Sequence, residues 1–151
     1  MSVIAVQYLV HSGSVALVAA TAKTVVEGVV DASGPPPEWI ALNISFDGVT
    51  ATAVPVLVEF CTYAATGTGT AATPRRLGAA IGVARSTWKT GDTTEPTTPV
   101  VFDSLWLPPT GPFLYQWPLG RELLHPTSTV QGIRLTAPAA VNCRLSLTLE
   151  E

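Results

Sequence analysis

Apolar and polar residues alternate with a period of two along much of this chain. Ile40, Leu42, Ile44 and Phe46 interleave with Ala41, Asn43, Ser45 and Asp47, so an extended segment here has one apolar and one polar face. Val54, Val56, Val58 and Phe60 repeat the pattern, with Glu59 on the other side. The cleanest run is Val141, Cys143, Leu145, Leu147 and Leu149 alternating with Asn142, Arg144, Ser146 and Thr148. Just before it Ile133 and Leu135 alternate with Arg134 and Thr136, and Pro138-Ala139-Ala140 supplies a turn. The last two strands are therefore expected to form a hairpin. Val3–Val10, Ser14–Ala20, Lys23–Val30, Val100–Leu107 and Phe113–Trp117 are further predicted strands. Turn signals separate them: Ser12-Gly13, Ser33-Gly34-Pro35-Pro36-Pro37, Asp47-Gly48, Pro108-Pro109-Thr110-Gly111-Pro112 and Leu119-Gly120. Leu77–Ala84 reads as one helical turn or a short strand, weakened by Gly78 and Gly82. About eight to ten short strands at this spacing predict an all-β, antiparallel β-sandwich, jelly-roll-like in architecture.

One stretch breaks the pattern. Residues 64–99 are mostly Thr, Gly, Ala, Pro and Arg and are expected as one long loop or arm, which in a compact domain is usually functional or disordered. The segment holds Arg75-Arg76, Arg85, Trp88 and Lys89, which suit docking on a partner. A floppy insertion, or a strand near Ile81–Trp88, is the competing reading.

The chain has 151 residues, one domain's worth (1–151), enough to bury a core without metals or disulfides. Charged residues are 13%, about half the usual share, and hydrophobic residues are 47%. A surface so poor in charge is either Thr, Ser and Ala or buried against other chains. The net charge of −3 argues against a nucleic-acid partner, which calls for a basic stripe. The cations are mostly Arg, which suits forked, desolvated interface contacts. Cys61 and Cys143 sit in apolar runs and read as small buried hydrophobes, with a single cross-strand disulfide as the alternative. The apolar N-terminal stretch is interrupted by Gln7, His11, Ser12 and Gly13, so no membrane span is expected. Ala20-Thr21-Ala22 follows no Lys or Arg, so a cytoplasmic start is expected rather than a signal peptide.

No catalytic constellation stands out, and the chain is expected not to be an enzyme. The two histidines, His11 and His125, have no metal-ligand spacing, and no metal or cofactor is expected. His125 precedes Pro126 and reads as a surface residue in a turn. His11-Ser12-Gly13-Ser14 reads as a hairpin turn and lacks a strand–elbow–helix setting. Gly67-Thr68-Gly69-Thr70-Ala71-Ala72 matches a loose phosphate-loop string, but Pro74 blocks a following helix. Glu27, Glu38, Glu59, Asp103 and Glu122 are scattered singly. Phe113, Tyr115 and Trp117 share one strand face, a spacing that suits a sugar platform but is read first as a core or subunit-interface layer, since interfaces enrich Trp, Tyr and Arg.

Several phrases occur together: Ala20-Thr21-Ala22-Lys23-Thr24-Val25-Val26, Phe46-Asp47-Gly48-Val49-Thr50-Ala51, Val54-Pro55-Val56-Leu57-Val58-Glu59, Glu95-Pro96-Thr97 and Trp117-Pro118-Leu119-Gly120-Arg121-Glu122. As a set, over roughly residues 20 to 125, they resemble the capsid decoration (auxiliary, or cement) proteins of tailed bacteriophages. The resemblance implies a virion structural protein on the capsid exterior, made in the host cytoplasm. It implies a homotrimer that binds the assembled major capsid protein and stabilises the shell, with no nucleic-acid or membrane partner. Arg75, Arg76, Trp88, Trp117 and Arg121 are the expected subunit or capsid contacts. A tail, baseplate or connector subunit is the first alternative. A carbohydrate-binding sandwich using Phe113, Tyr115 and Trp117 is the second.

Overall fold

A strand with one apolar face buries it only by packing against another layer. The computed structural model, which describes residues 6–33, 35–47, 54–78 and 84–151, does this with two antiparallel sheets that share one core. The strands in chain order are β1 Gln7–His11, β2 Val15–Leu17, β3 Ala22–Val30, β4 Glu38–Phe46, β5 Val56–Tyr63, β6 Thr68–Ala72, β7 Arg75–Arg76, β8 Ser86–Thr94, β9 Val100–Leu107, β10 Phe113–Gln116, β11 Leu123–Leu124, β12 Val130–Thr136 and β13 Val141–Glu150. One sheet has the order β10-β4-β13-β1-β7, with β11 also pairing β4 and β2 pairing β13. The other has the order β6-β8-β3-β12-β5-β9. The fold is an all-β sandwich, as the alternation predicts.

The core follows directly from that alternation. Leu42, Ile44, Leu145, Leu147 and Leu149 of the first sheet meet Val26, Val58, Phe60, Ile133 and Leu135 of the second, all buried. Consecutive residues Val25 and Val26 are both buried because Val25 is the extra residue of a bulge opposite Ile133 and Arg134. The bulge also packs the β3 backbone under Gly132. A methyl there would overlap the Val26 carbonyl and lie 3.1 Å from Glu27 Cα. Gly132→Ala is expected to lower stability by about 1–3 kcal/mol, read as a lower urea midpoint. An unchanged midpoint would mean that β3 gives way freely.

Three expectations are corrected. Residues 64–99 are not one long loop: they carry β6, β7 and β8. The inward side chains of β8 are Ser86, Trp88, Thr90 and Asp92, so its buried face is largely polar and leaves no hydrophobic period. The final two strands are not a hairpin. Strand β12 lies between β3 and β5, β13 lies between β4 and β1, and residues 137–140 cross from one sheet to the other. His125 is not at the surface but fully buried. Its Nδ1 accepts from Trp39 Nε1 at 3.4 Å and its Nε2 donates to the Thr129 carbonyl at 3.2 Å.

Other expectations are only partly covered. Val3 to Ala5 of the first predicted strand, Gly34, Gly48 to Ala51 and most of Leu77–Ala84 lie outside the described residues. Cys61 and Cys143 are buried and free, on different sheets. Burial raises both thiols, Cys143 to about 12, which suppresses the reactive thiolate.

Candidate interaction surface

The residues expected to meet a partner divide among three places. Arg75 and Arg76 form β7, which pairs with Leu9 and Tyr8 of β1 at one margin of the sandwich. Trp88 is core and not interface. It is 2% exposed and packs on Gly28, with Trp39 at 6.0 Å and His125 at 5.7 Å between ring centroids. Trp117 and Arg121 lie together at the opposite margin, following β10.

That margin is where the apolar surface collects. Strand β9 ends one sheet and β10 ends the other, and residues 108–112 join them. Leu105 and Leu107 face inward against Val58 and Val56. Val100, Val101, Phe102 and Trp106 remain exposed, Trp106 by 64%. On β10, Leu114 is 71% exposed and Tyr115 is also exposed. Leu119 is 97% exposed because it sits at the tip of a turn, in which Arg121 N–H donates to the Pro118 carbonyl at 2.8 Å. Gly120 occupies the positive-φ position such a turn requires (φ 77°).

Aromatic contacts tie the two edge strands into one rim. Phe102 lies 6.3 Å from Phe60, Phe60 lies 6.1 Å edge-on to Trp117, and Trp117 lies 5.0 Å edge-on to Tyr115. Tyr115 in turn stacks on Phe113 at 6.3 Å, nearly coplanar at 7°. Trp117 is also 6.4 Å from Trp39, so the rim rests on the core. The expected aromatic face is thus real, but Tyr115, 43% exposed, is the most open of its three members, Phe113 and Trp117 being half-buried.

Beside the rim lies an open groove of about 440 Å³. Trp117 and Leu119 form its apolar wall, and Glu38, Glu122 and Glu150 its acidic one. Isolated exposed apolar side chains are ordinary on a soluble protein, but here they gather on two neighbouring edge strands. Trp106 points outward on β9 between the inward Leu105 and Leu107, and Leu114 points outward on β10 opposite Asn43. Open edges of this kind are where other chains pair. Chemically the rim offers dispersion contacts and open strand edges. Among the described residues, no group of three His, Cys, Asp or Glu is placed to hold a metal ion. No helix there is long and apolar enough to cross a membrane.

The sequence reading missed Val100, Val101, Trp106, Leu114 and Leu119. Its available signal was Val100-Val101-Phe102, three apolar residues in a row that put grease on both faces of one strand. Compared with known proteins, the chain matches no family model, no curated protein and no solved structure.

Proposed function

We propose that this chain is a virion structural protein, a capsid decoration protein that binds the outside of the assembled major-capsid shell and stabilises it. The supporting observation is the apolar rim of Val100, Val101, Phe102, Trp106, Leu114 and Leu119 along two open strand edges. Such a rim fits a protein whose work is done in contacts with other chains. The phrases at residues 20–26, 95–97 and 117–122 point to the phage shell as that partner. Strands β1-β13-β4-β10 opposite β3-β12-β5-β9 support reading the sandwich as a jelly roll, with β6, β7 and β8 added at one margin. A protein that binds only the assembled shell stabilises it by mass action.

Cosedimentation with expanded shells tests the reading, and failure of the wild-type chain to pellet with them would end it. Light scattering of the free 15.8 kDa chain is expected to give a trimer. Replacing Trp106 and Leu119 together by Ser is expected to weaken shell binding by roughly 30-fold, the loss typical of an interface hot spot. Both side chains are mainly exposed, so the thermal midpoint should stay put.

A second reading, a carbohydrate-binding module, is favoured by the open Tyr115 ring stacked on Phe113. Glycan-array binding that disappears in Trp117→Ala with the fold intact would shift the assignment there.

A further inference from the structure

The Gly67-Thr68-Gly69 string is no phosphate cradle; it roofs a buried carboxyl group. Asp92 of β8 is 1% exposed, and neither of its carboxylate oxygens has a hydrogen-bond partner among the described residues. The backbone of the β6 segment lies directly on it. A methyl at Gly69 would overlap Asp92 Oδ1, and one at Gly67 would lie 2.7 Å from Oδ2. That close cover leaves no room for a cation between them.

Other charged groups surround the contact. Glu27 of β3 is 1% exposed and accepts the Gly67 N–H through both oxygens, at 3.0 and 3.2 Å. Lys89 of β8 donates to the Gly67 carbonyl at 2.8 Å and lies 3.7 Å from Glu27. Glu95, just past β8, accepts the Thr24 N–H at 2.8 Å. Lys23 of β3 donates to the main-chain carbonyl of Asp92 and not to its carboxylate. Two acids therefore face Asp92, and neither lysine pairs with it.

We infer that Asp92, with Glu27 and Glu95, forms a proton-dependent latch that fastens edge strand β6 to β8. A neutral Asp92 carboxyl tolerates the dry site under Gly67 and Gly69. A carboxylate there has no donor and two acidic neighbours, and it drives β6 off the β8 edge. Segment β6–β7 is suited to this, because it is a strap that leaves one sheet for the other.

The titration has the matching sign. Burial, then Glu27, then Glu95 push the Asp92 carboxyl from 3.8 up to about 7, against the pull of Lys89 and Lys23. Burial also raises Glu27. The closed form thus keeps a proton that the open form releases between about pH 4 and 7. Stability of the closed form is complete below that window and is lost as the pH rises through it.

Hydrogen exchange of the β6 amides is the test. Their protection factors are expected to fall by up to about tenfold per pH unit between pH 5 and 7, one proton being released on opening. They should level off above pH 7, and Asp92→Asn should abolish the fall. The same fall in Asp92→Asn would overturn the latch. If that variant does not fold, the carboxyl-carbon NMR signal of Asp92 in the wild-type chain decides. Titration near 4, or titration near neutral with steady β6 protection, would each overturn it.

Global unfolding adds a check of opposite sign. Burial holds His125 down to about 4, so its contribution to stability is lost as the pH falls from about 6.5 to 4. In Asp92→Asn the offsetting gain from Asp92 is gone, and the urea midpoint should drop on acidification more than in the wild type.

Discussion

Leu147→Asp is expected to abolish the cooperative unfolding transition. Leu147 is fully buried at the middle of β13, flanked by Val10 on β1 and Leu42 on β4, both also fully buried. Its two cross-strand neighbours are aliphatic and offer a carboxylate no donor. An uncompensated buried charge costs about 3–5 kcal/mol, and the lost leucine packing costs about 2–5 kcal/mol. Together these rival the whole stability of a domain, about 5–15 kcal/mol. The near-ultraviolet circular dichroism from the packed tryptophans should collapse. Burial would raise the new aspartate's pKa, so acid should restore part of the signal. Leu147→Ala, which loses packing alone, should remain folded with a lower urea midpoint. A sharp, native-like transition in Leu147→Asp would show that this layer admits water.

Trp39→Ala is expected to be the next most damaging change, by about 3–5 kcal/mol. Trp39 is fully buried and is the hub of the aromatic core. It touches Trp88 at 6.0 Å, Trp117 at 6.4 Å and His125 at 5.9 Å between ring centroids. Its removal leaves a cavity, takes the donor from His125 Nδ1 and undercuts Trp117, the inner support of the rim. Trp39→Ala should therefore weaken any partner bound at β9 and β10 as well as lower the urea midpoint. Trp39→Phe keeps much of the volume and loses the N–H, so a smaller drop is expected. Equal drops in the two variants would place the effect in the hydrogen bond to His125 and not in packing.

The two variants probe what the sequence made legible and what it did not. Leu147 was identifiable because β13 alternates without a break, and a half-buried strand needs only that period. The same signal located β4, β5 and β12. Alternation says which face is buried but not which sheet a strand joins, so β12 and β13 looked like a hairpin while the fold separates them. Strand β8 stayed hidden because its inward face is Ser86, Trp88, Thr90 and Asp92, polar groups whose burial depends on what lies over them. His125 and Trp88 illustrate the same point. Each is amphipathic, and only the tertiary arrangement of Trp39, Gly28 and Thr129 puts them inside. At the rim, Trp117 and Arg121, expected as subunit or capsid contacts, lie just past β10. Leu119 stood in a turn signal with Gly120, but Trp106 was not distinguishable from a core residue, because its exposure is a property of the sheet margin and not of the local pattern.

The position of β13 also governs when the molecule can form. Its neighbours in the sheet are β4 and β1, and Gln7 pairs with Glu150 at a separation of 143 residues. The central strand of that sheet is thus synthesised after both strands it joins. Until then β4 and β1 wait without the strand that lies between them, their apolar faces uncovered. Closing such long loops before any contact rewards them makes folding slow. Synthesis therefore carries a period of exposure to aggregation that the finished sandwich does not share.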